Sequence, residues 1–259
     1  MYTGRTFNRE TVYFTGDYID GEIYPVFQNA GKRRKKCKPT SAIQERLNQR
    51  NAEKKLTRLV RANFSEDDVT VTATYRKGEE PEDALQAKRD AQNFIKKLKR
   101  LYKKHGLELK YIYATECGKS GNWHHHFILT GGVDRDTIEQ AWGKGYANSK
   151  RLQFEDDGLA GLSRYIVKER RFYKRWSDSR NLTRPEPVQC DGQLSMFDVM
   201  DAANAIEEGR GREWFENRWP DFELIEARVD RNGINRGVYI HFEMRKRTAF
   251  EHERRRKRA

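Results

Sequence analysis

Trp123-His124-His125-His126-Phe127-Ile128-Leu129 is the stretch whose reading decides the fold. It holds half of the six histidines of a 259-residue chain. Aromatic and branched apolar residues at its end favour an extended backbone. The run Tyr111-Ile112-Tyr113-Ala114-Thr115-Glu116 before it reads the same way. A short connection with Gly118 and Gly121 joins the two runs, which predicts an antiparallel pair. Successive strand side chains point to opposite faces, so His124 and His126 share a face, about 7 Å apart, and His125 points away. Glu116, at the end of the preceding strand, can turn to the same face.

Two imidazoles and one carboxylate leave open positions on a divalent ion. Glu116, His124 and His126 are therefore candidate metal ligands, against the alternative of ordinary strand histidines. A mixed nitrogen and oxygen set suits Mn²⁺ and accepts Mg²⁺. It lacks the thiolates and fourth protein ligand of a structural zinc site. Neutral imidazole is the ligand, so affinity is expected to fall as pH drops through about 6.5.

Outward from this pair, Val69 to Tyr75 alternates like a half-buried strand. A helix is predicted over 81–105, with Phe94, Ile95, Leu98, Leu101 and Tyr102 at spacings of three and four. A shorter helix over 135–142 follows, capped by Asp134, then a short strand at 151–154 and a helix from Gly158 to about Tyr173. The order β-α-β-β-α predicts an α+β fold: a ferredoxin/RRM-like antiparallel sheet with helices on one face. Before it, two β-rich runs within 11–27 flank Asp20-Gly21, a hairpin signal, and a helix is expected from Ser41 to about Ala62. After it, helices near 196–208 and 211–218 and β-rich runs at 222–228 and 237–243, around the turn Asn232-Gly233, form a tail. The expected division is an N-terminal basic segment with hairpin and helix (1–63), a central domain (64–185) and a C-terminal α/β extension with a basic tail (186–259).

Net charge is +13, and charged residues make up 35% of the chain. Such a field attracts polyanions: nucleic acid or an anionic membrane surface. Lys32 to Lys38 and Arg254 to Arg258 are basic runs, each read as a solvated segment or a phosphate-binding arm. No apolar run is long enough to span a bilayer, so no membrane partner is expected. The N-terminus lacks the apolar core of a signal peptide, and three scattered cysteines give no disulfide framework, so a reducing cytoplasm is expected. Gly118-Lys119-Ser120 ends like a phosphate-binding loop. Position 113 is Tyr where a glycine is needed, and a strand follows instead of a helix, which excludes ATP binding.

On a helix, Tyr165 and Lys168 lie three residues apart and share a side. A phenol attacks phosphorus only when its proton is drawn off, and a nearby ammonium and a metal-bound phosphate both favour that. The alternative is a boundary tyrosine that packs its ring. Glu116, then His124-His125-His126, then Tyr165-Ile-Val-Lys168, in that order, resembles the HUH endonucleases. Within them it is similar to the single-tyrosine rolling-circle replication initiator (Rep) proteins. Val69 to Tyr75 resembles their first strand motif, and the resemblance covers roughly residues 64–180. The chain departs from the pattern at His125, where a hydrophobic residue is usual.

The resemblance implies a metal-dependent, sequence-specific endonuclease and strand transferase acting on single-stranded DNA. It implies that Tyr165 attacks and becomes a 5′-phosphotyrosine, that Lys168 stabilises phenolate or phosphate, and that Mn²⁺ or Mg²⁺ is the cofactor. It implies single-stranded or hairpin origin DNA as partner, with a separate helicase and DNA polymerase from the host or the element. Other readings are a single-tyrosine transposase or relaxase of a mobile element, or a non-catalytic DNA-binding module.

Overall fold

The structure is a computed structural model, and it describes residues 6–27, 42–118, 121–154, 159–167, 175–233 and 235–247. The basic runs at 32–38 and 254–258 lie outside them, as do Lys168 and Tyr173. The chain divides into two compact units, Ser41–Arg184 and a second made from Met1–Thr40 with Pro185–Ala259. The expected flanking pieces 1–63 and 186–259 are thus distributed differently: strands of both share one sheet, and the helix that follows Ser41 belongs with the central unit.

In the central unit the elements are α1 (Ala42–Arg61), β3 (Val69–Thr74), α2 (Ala84–Lys104), β4 (Tyr111–Cys117), β5 (Trp123–Leu129), α3 (Arg135–Trp142), β6 (Ala147–Arg151), α4 (Ala160–Val167) and β7 (Ser177–Asp178). They follow β1 (Thr6–Thr15) and β2 (Tyr18–Phe27) of the other unit. The sheet order is β6-β3-β5-β4-β7, and every pairing is antiparallel. The run β3-α2-β4-β5-α3-β6 is a split β-α-β repeat with the two crossover strands at the centre, so the expected ferredoxin-like α+β class is the observed one. β6 begins at Ala147, four residues before the expected strand, and the predicted 151–154 is mostly loop.

α2 forms because its apolar residues recur on one stripe and its first turn is capped. Ala87, Ala91, Phe94, Ile95, Leu98 and Tyr102 are buried, and the Asp83 carboxylate accepts from Gln86 N at 2.7 Å. This stripe packs, with Ile138 and Trp142 of α3, on Val69, Val71, Ala73, Phe127 and Leu129. Fully burying each large side chain there is worth about 1.5–3 kcal/mol. α3 starts at Asp134, which accepts from Thr137 N, and stops at Gly143 in the left-handed region (φ 71°).

Helices do not stay on one face. Leu56, Leu59 and Val60 of α1 and Ile166 of α4 share a second core with Ile112, Ala114 and Ile128, on the opposite face of the same sheet. The alternating strands made one covered face legible. The second face is covered only in part, over β4 and β5, because Thr70, Thr72 and Thr74 of β3 stay partly exposed.

The other unit holds β1, β2, β8 (Val188–Asp191), α5 (Met196–Glu207), α6 (Gly211–Arg218), β9 (Phe222–Arg231) and β10 (Val238–Lys246), with sheet order β8-β1-β2-β10-β9. The N-terminal hairpin turns at Gly16 (φ 62°) and Asp17, not at Asp20-Gly21. Gly21 sits inside β2 because the Phe242 ring lies on it: a Cβ there would come 2.1 Å from Phe242 Cζ. The glycine marks a close approach, not a turn. β9 and β10 pair across the Asn232 turn, as expected.

Candidate metal and DNA site

β5 places its three histidines as alternation demands. In the β4–β5 register Glu116 lies opposite His124, and Ala114 opposite His126. Partners in register share a face, so Glu116, His124 and His126 lie on the face of Ile112 and Ile128. His126 Nε2 is 3.5 Å from Glu116 Oε2. Ligand atoms on one divalent ion, at bond lengths of about 2.0–2.2 Å, stand about 3.0–3.5 Å apart, so this pair fits such an ion. Thr72 Oγ1 lies 3.3 Å from His126 Nδ1. That hydroxyl can take the Nδ1 proton, which turns the Nε2 lone pair toward Glu116, the tautomer a metal needs.

His124 is half-buried on the same face. The ligand atoms of all three residues do not come within 4.8 Å of one another, so completing the set takes a turn of the His124 ring. Among the described residues, the group that does close to 4.8 Å is Asp20, Glu22 and His241, in the other unit. There His241 Nε2 is 3.2 Å from Asp20 Oδ1, and an Arg228 nitrogen is 3.5 Å from His241 Nδ1. Both ring nitrogens are engaged and a cation already adjoins, which describes a structural polar network. No sequence signal marked it, since Asp20 and His241 meet only through the pairing of β2 with β10.

His126 titrates low, at about 4, because burial disfavours imidazolium and because the His124 charge repels it. The fall in metal affinity expected near pH 6.5 therefore does not come from His126. His125 points away, as alternation requires, and is fully buried. Its pKa drops to about 3, chiefly by burial, then by the charges of His126 and His124. Tyr75 donates its hydroxyl proton to Asp90 at 3.3 Å, and that oxygen lies 2.8 Å from His125 Nε2. Thr115 Oγ1 lies 2.9 Å from His125 Nδ1. The Tyr75 proton is committed to Asp90, so His125 Nε2–H donates to Tyr75 and Nδ1 accepts from Thr115. Lys144 Nζ, 3.3 Å from Asp90 Oδ1, ends the chain. Tyr75 is pushed above the ordinary phenol range by burial and by the Asp90 charge. The sequence reading missed Tyr75, Thr115 and Asp90, which come from three different elements.

Tyr165 lies on α4, next to Ile166, which is buried in the core shared with Ile112, Ala114 and Ile128. α4 is thus the helix that packs on the face carrying the candidate ligands. Cys117 and Cys190 are free thiols. No helix of the described residues is long and apolar enough to cross a membrane.

Comparison with known proteins adds three findings. No curated protein matches the chain. Among solved structures, the chain is similar to the N-terminal nuclease domain of non-structural protein 1 of minute virus of mice. Identity is 10%, coverage 72% of this chain and 73% of that one, and the TM-score 0.20. Residues 68–170 match the family model of the ORF2-type replication-associated proteins, a span that runs from the start of β3 through α4 and takes in Glu116, His124, His126 and Tyr165.

Proposed function

We propose that this chain is a metal-dependent, sequence-specific single-stranded DNA endonuclease and strand transferase that initiates rolling-circle replication. The observation that carries the reading is the placement of Glu116 Oε2 3.5 Å from His126 Nε2 on the sheet face where α4, the helix of Tyr165, packs. The match of residues 68–170 to a replication-associated family supports it.

Glu116, His124 and His126 would hold one Mn²⁺ or Mg²⁺. A bound divalent ion supplies Lewis-acid polarisation of the scissile phosphate. The Tyr165 oxygen attacks phosphorus, the bond to the 3′ oxygen breaks, and the phenol proton leaves to solvent or to the departing oxygen. The products are a 5′-phosphotyrosine and a free 3′-hydroxyl. The ester keeps one phosphodiester-level bond, so the reverse attack by a 3′-hydroxyl rejoins a strand without ATP. Lys168 offers an ammonium to the phenolate or phosphate. The 3′-hydroxyl primes a separate DNA polymerase, and a separate helicase opens the duplex.

The test is incubation of the protein with a randomised pool of single-stranded oligonucleotides and Mn²⁺, resolved on a denaturing gel. A nicked product and a covalent adduct mapped to Tyr165 are expected, and Tyr165→Phe abolishes both while DNA binding persists. A mobility shift without any adduct would make the chain a binding module instead. An adduct on another tyrosine would remove Tyr165 and leave the metal assignment standing.

A further inference from the structure

The face that carries the candidate ligands is only half covered. α1 and α4 cover β4 and β5, and the open half consists of β3 and the edge strand β6. In register, Asn148 lies opposite Thr72, which lies opposite His126. One row further, Thr74 lies opposite His124, which lies opposite Glu116. Tyr146, one residue ahead of β6, extends this row, since its carbonyl accepts from Thr74 N at 2.8 Å. Lys150 lies opposite Thr70 in the row below.

Tyr146, Asn148 and Lys150 therefore project from one edge onto the face of the candidate ligands. All three are exposed, Tyr146 to 76%. A single exposed aromatic means little by itself. Here the ring stands two strands from His124, about 10 Å at the usual strand spacing, with an amide and an ammonium continuing the same edge. Gly145 seats it: a Cβ there would come 2.4 Å from Thr74 O and from Arg76 N, so only glycine lets the chain lie this close to β3. The backbone is built to hold Tyr146 at this point.

We infer that Tyr146, Asn148 and Lys150 form a single-strand DNA strip leading into the site. A base stacks on the Tyr146 ring, the Asn148 amide meets a base edge or sugar, and Lys150 meets a phosphate. The inference rests on the reading of this face as a DNA site and names the surface that receives the nucleotides beside the scissile bond. Unpaired bases have an exposed π-face, and each base–aromatic stack contributes about 1–3 kcal/mol by alanine substitution. Duplex bases hide that face, so the strip selects single strands.

The test measures fluorescence anisotropy of a labelled twelve-nucleotide oligo-dT with full-length protein and no metal, so it needs no nicking. Tyr146→Ala is expected to weaken binding about 5- to 150-fold, which is the stacking range converted at 1.4 kcal/mol per decade. Tyr146→Phe keeps the ring and stays within about twofold of wild type. Lys150→Ala flattens the dependence of log affinity on log salt by about 0.7, the single-strand slope per phosphate, whereas Tyr146→Ala leaves that slope unchanged. Mn²⁺ affinity, followed by calorimetry without DNA, does not change in Tyr146→Ala. Binding of Tyr146→Ala within twofold of wild type overturns the strip, whatever the outcome of the nicking assay. Failure to nick with the anisotropy pattern intact overturns the catalytic reading alone.

Discussion

Three consecutive histidines in one strand do three different things because a strand alternates and its faces differ. His126 points to a carboxylate, His124 to a half-open surface, and His125 into the core. The face of each was legible from a period of two, and so was the reach of Glu116. What holds His125 was not legible, because Tyr75, Asp90 and Thr115 reach it from β3's end, α2 and β4. Burial has a measurable consequence. In the unfolded chain an imidazole titrates near 6.5, whereas folded His125 and His126 titrate at about 3 and about 4. Between those limits the unfolded chain binds protons that the folded chain refuses. Stability is therefore full above about pH 6.5 and is lost as pH falls toward 4, by at most about 1.4 kcal/mol per pH unit for each histidine. Denaturant titrations at pH 7.5 and pH 5 should show this loss, and His125→Leu should make it shallower. Equal slopes in the two proteins would mean that His125 does not set it.

At the scale of elements, helices with regular stripes and side-chain caps were readable almost to the residue, while turns and edges were not. α2 and α3 carry their own signals, Asp83 and Asp134 at the start and a repeating apolar stripe within. Phe94→Ala should cost about 3–5 kcal/mol, since Phe94 packs edge to face on both Phe127 and Trp142. Asp83→Ala removes one cap bond and should cost about 1 kcal/mol. Urea melts would separate the two, and a Phe94→Ala loss as small as that of the cap would show that the core collapses around the gap. Asp20-Gly21 misleads because a glycine that admits a ring looks, in sequence, like a glycine that makes a turn. Gly21→Ala forces the Phe242 ring aside, so a loss of about 1–3 kcal/mol is expected. Gly78→Ala, with nothing within 4 Å, loses only through its positive φ of 89°. Similar losses at the two positions would sink the close-approach account.

At the scale of the whole molecule, alternation tells which face of a strand is buried but not which strand is its neighbour. Each hairpin, 111–129 and 222–246, was found as a local pair, and the pairing of β2 with β10 across more than half the chain was invisible. The consequence is an asymmetry between fragments. Residues 41–184 contain every strand of their own sheet and both cores that flank it. Residues 185–259 lack β1 and β2, which lie between β8 and β10 in the other sheet. They also lose Val12, Ile19 and Ile23 from the core that α5 and α6 cover. A fragment spanning 41–184 should therefore melt cooperatively by circular dichroism and should bind Mn²⁺ through Glu116, His124 and His126. A fragment spanning 185–259 should show no cooperative transition until a 1–40 peptide is added, because β10 needs β2 to bury Phe242 against Gly21. A cooperative melt of 185–259 alone would show that β9, β10 and the helices suffice for that core. A non-cooperative 41–184 would show that its sheet depends on the rest of the chain.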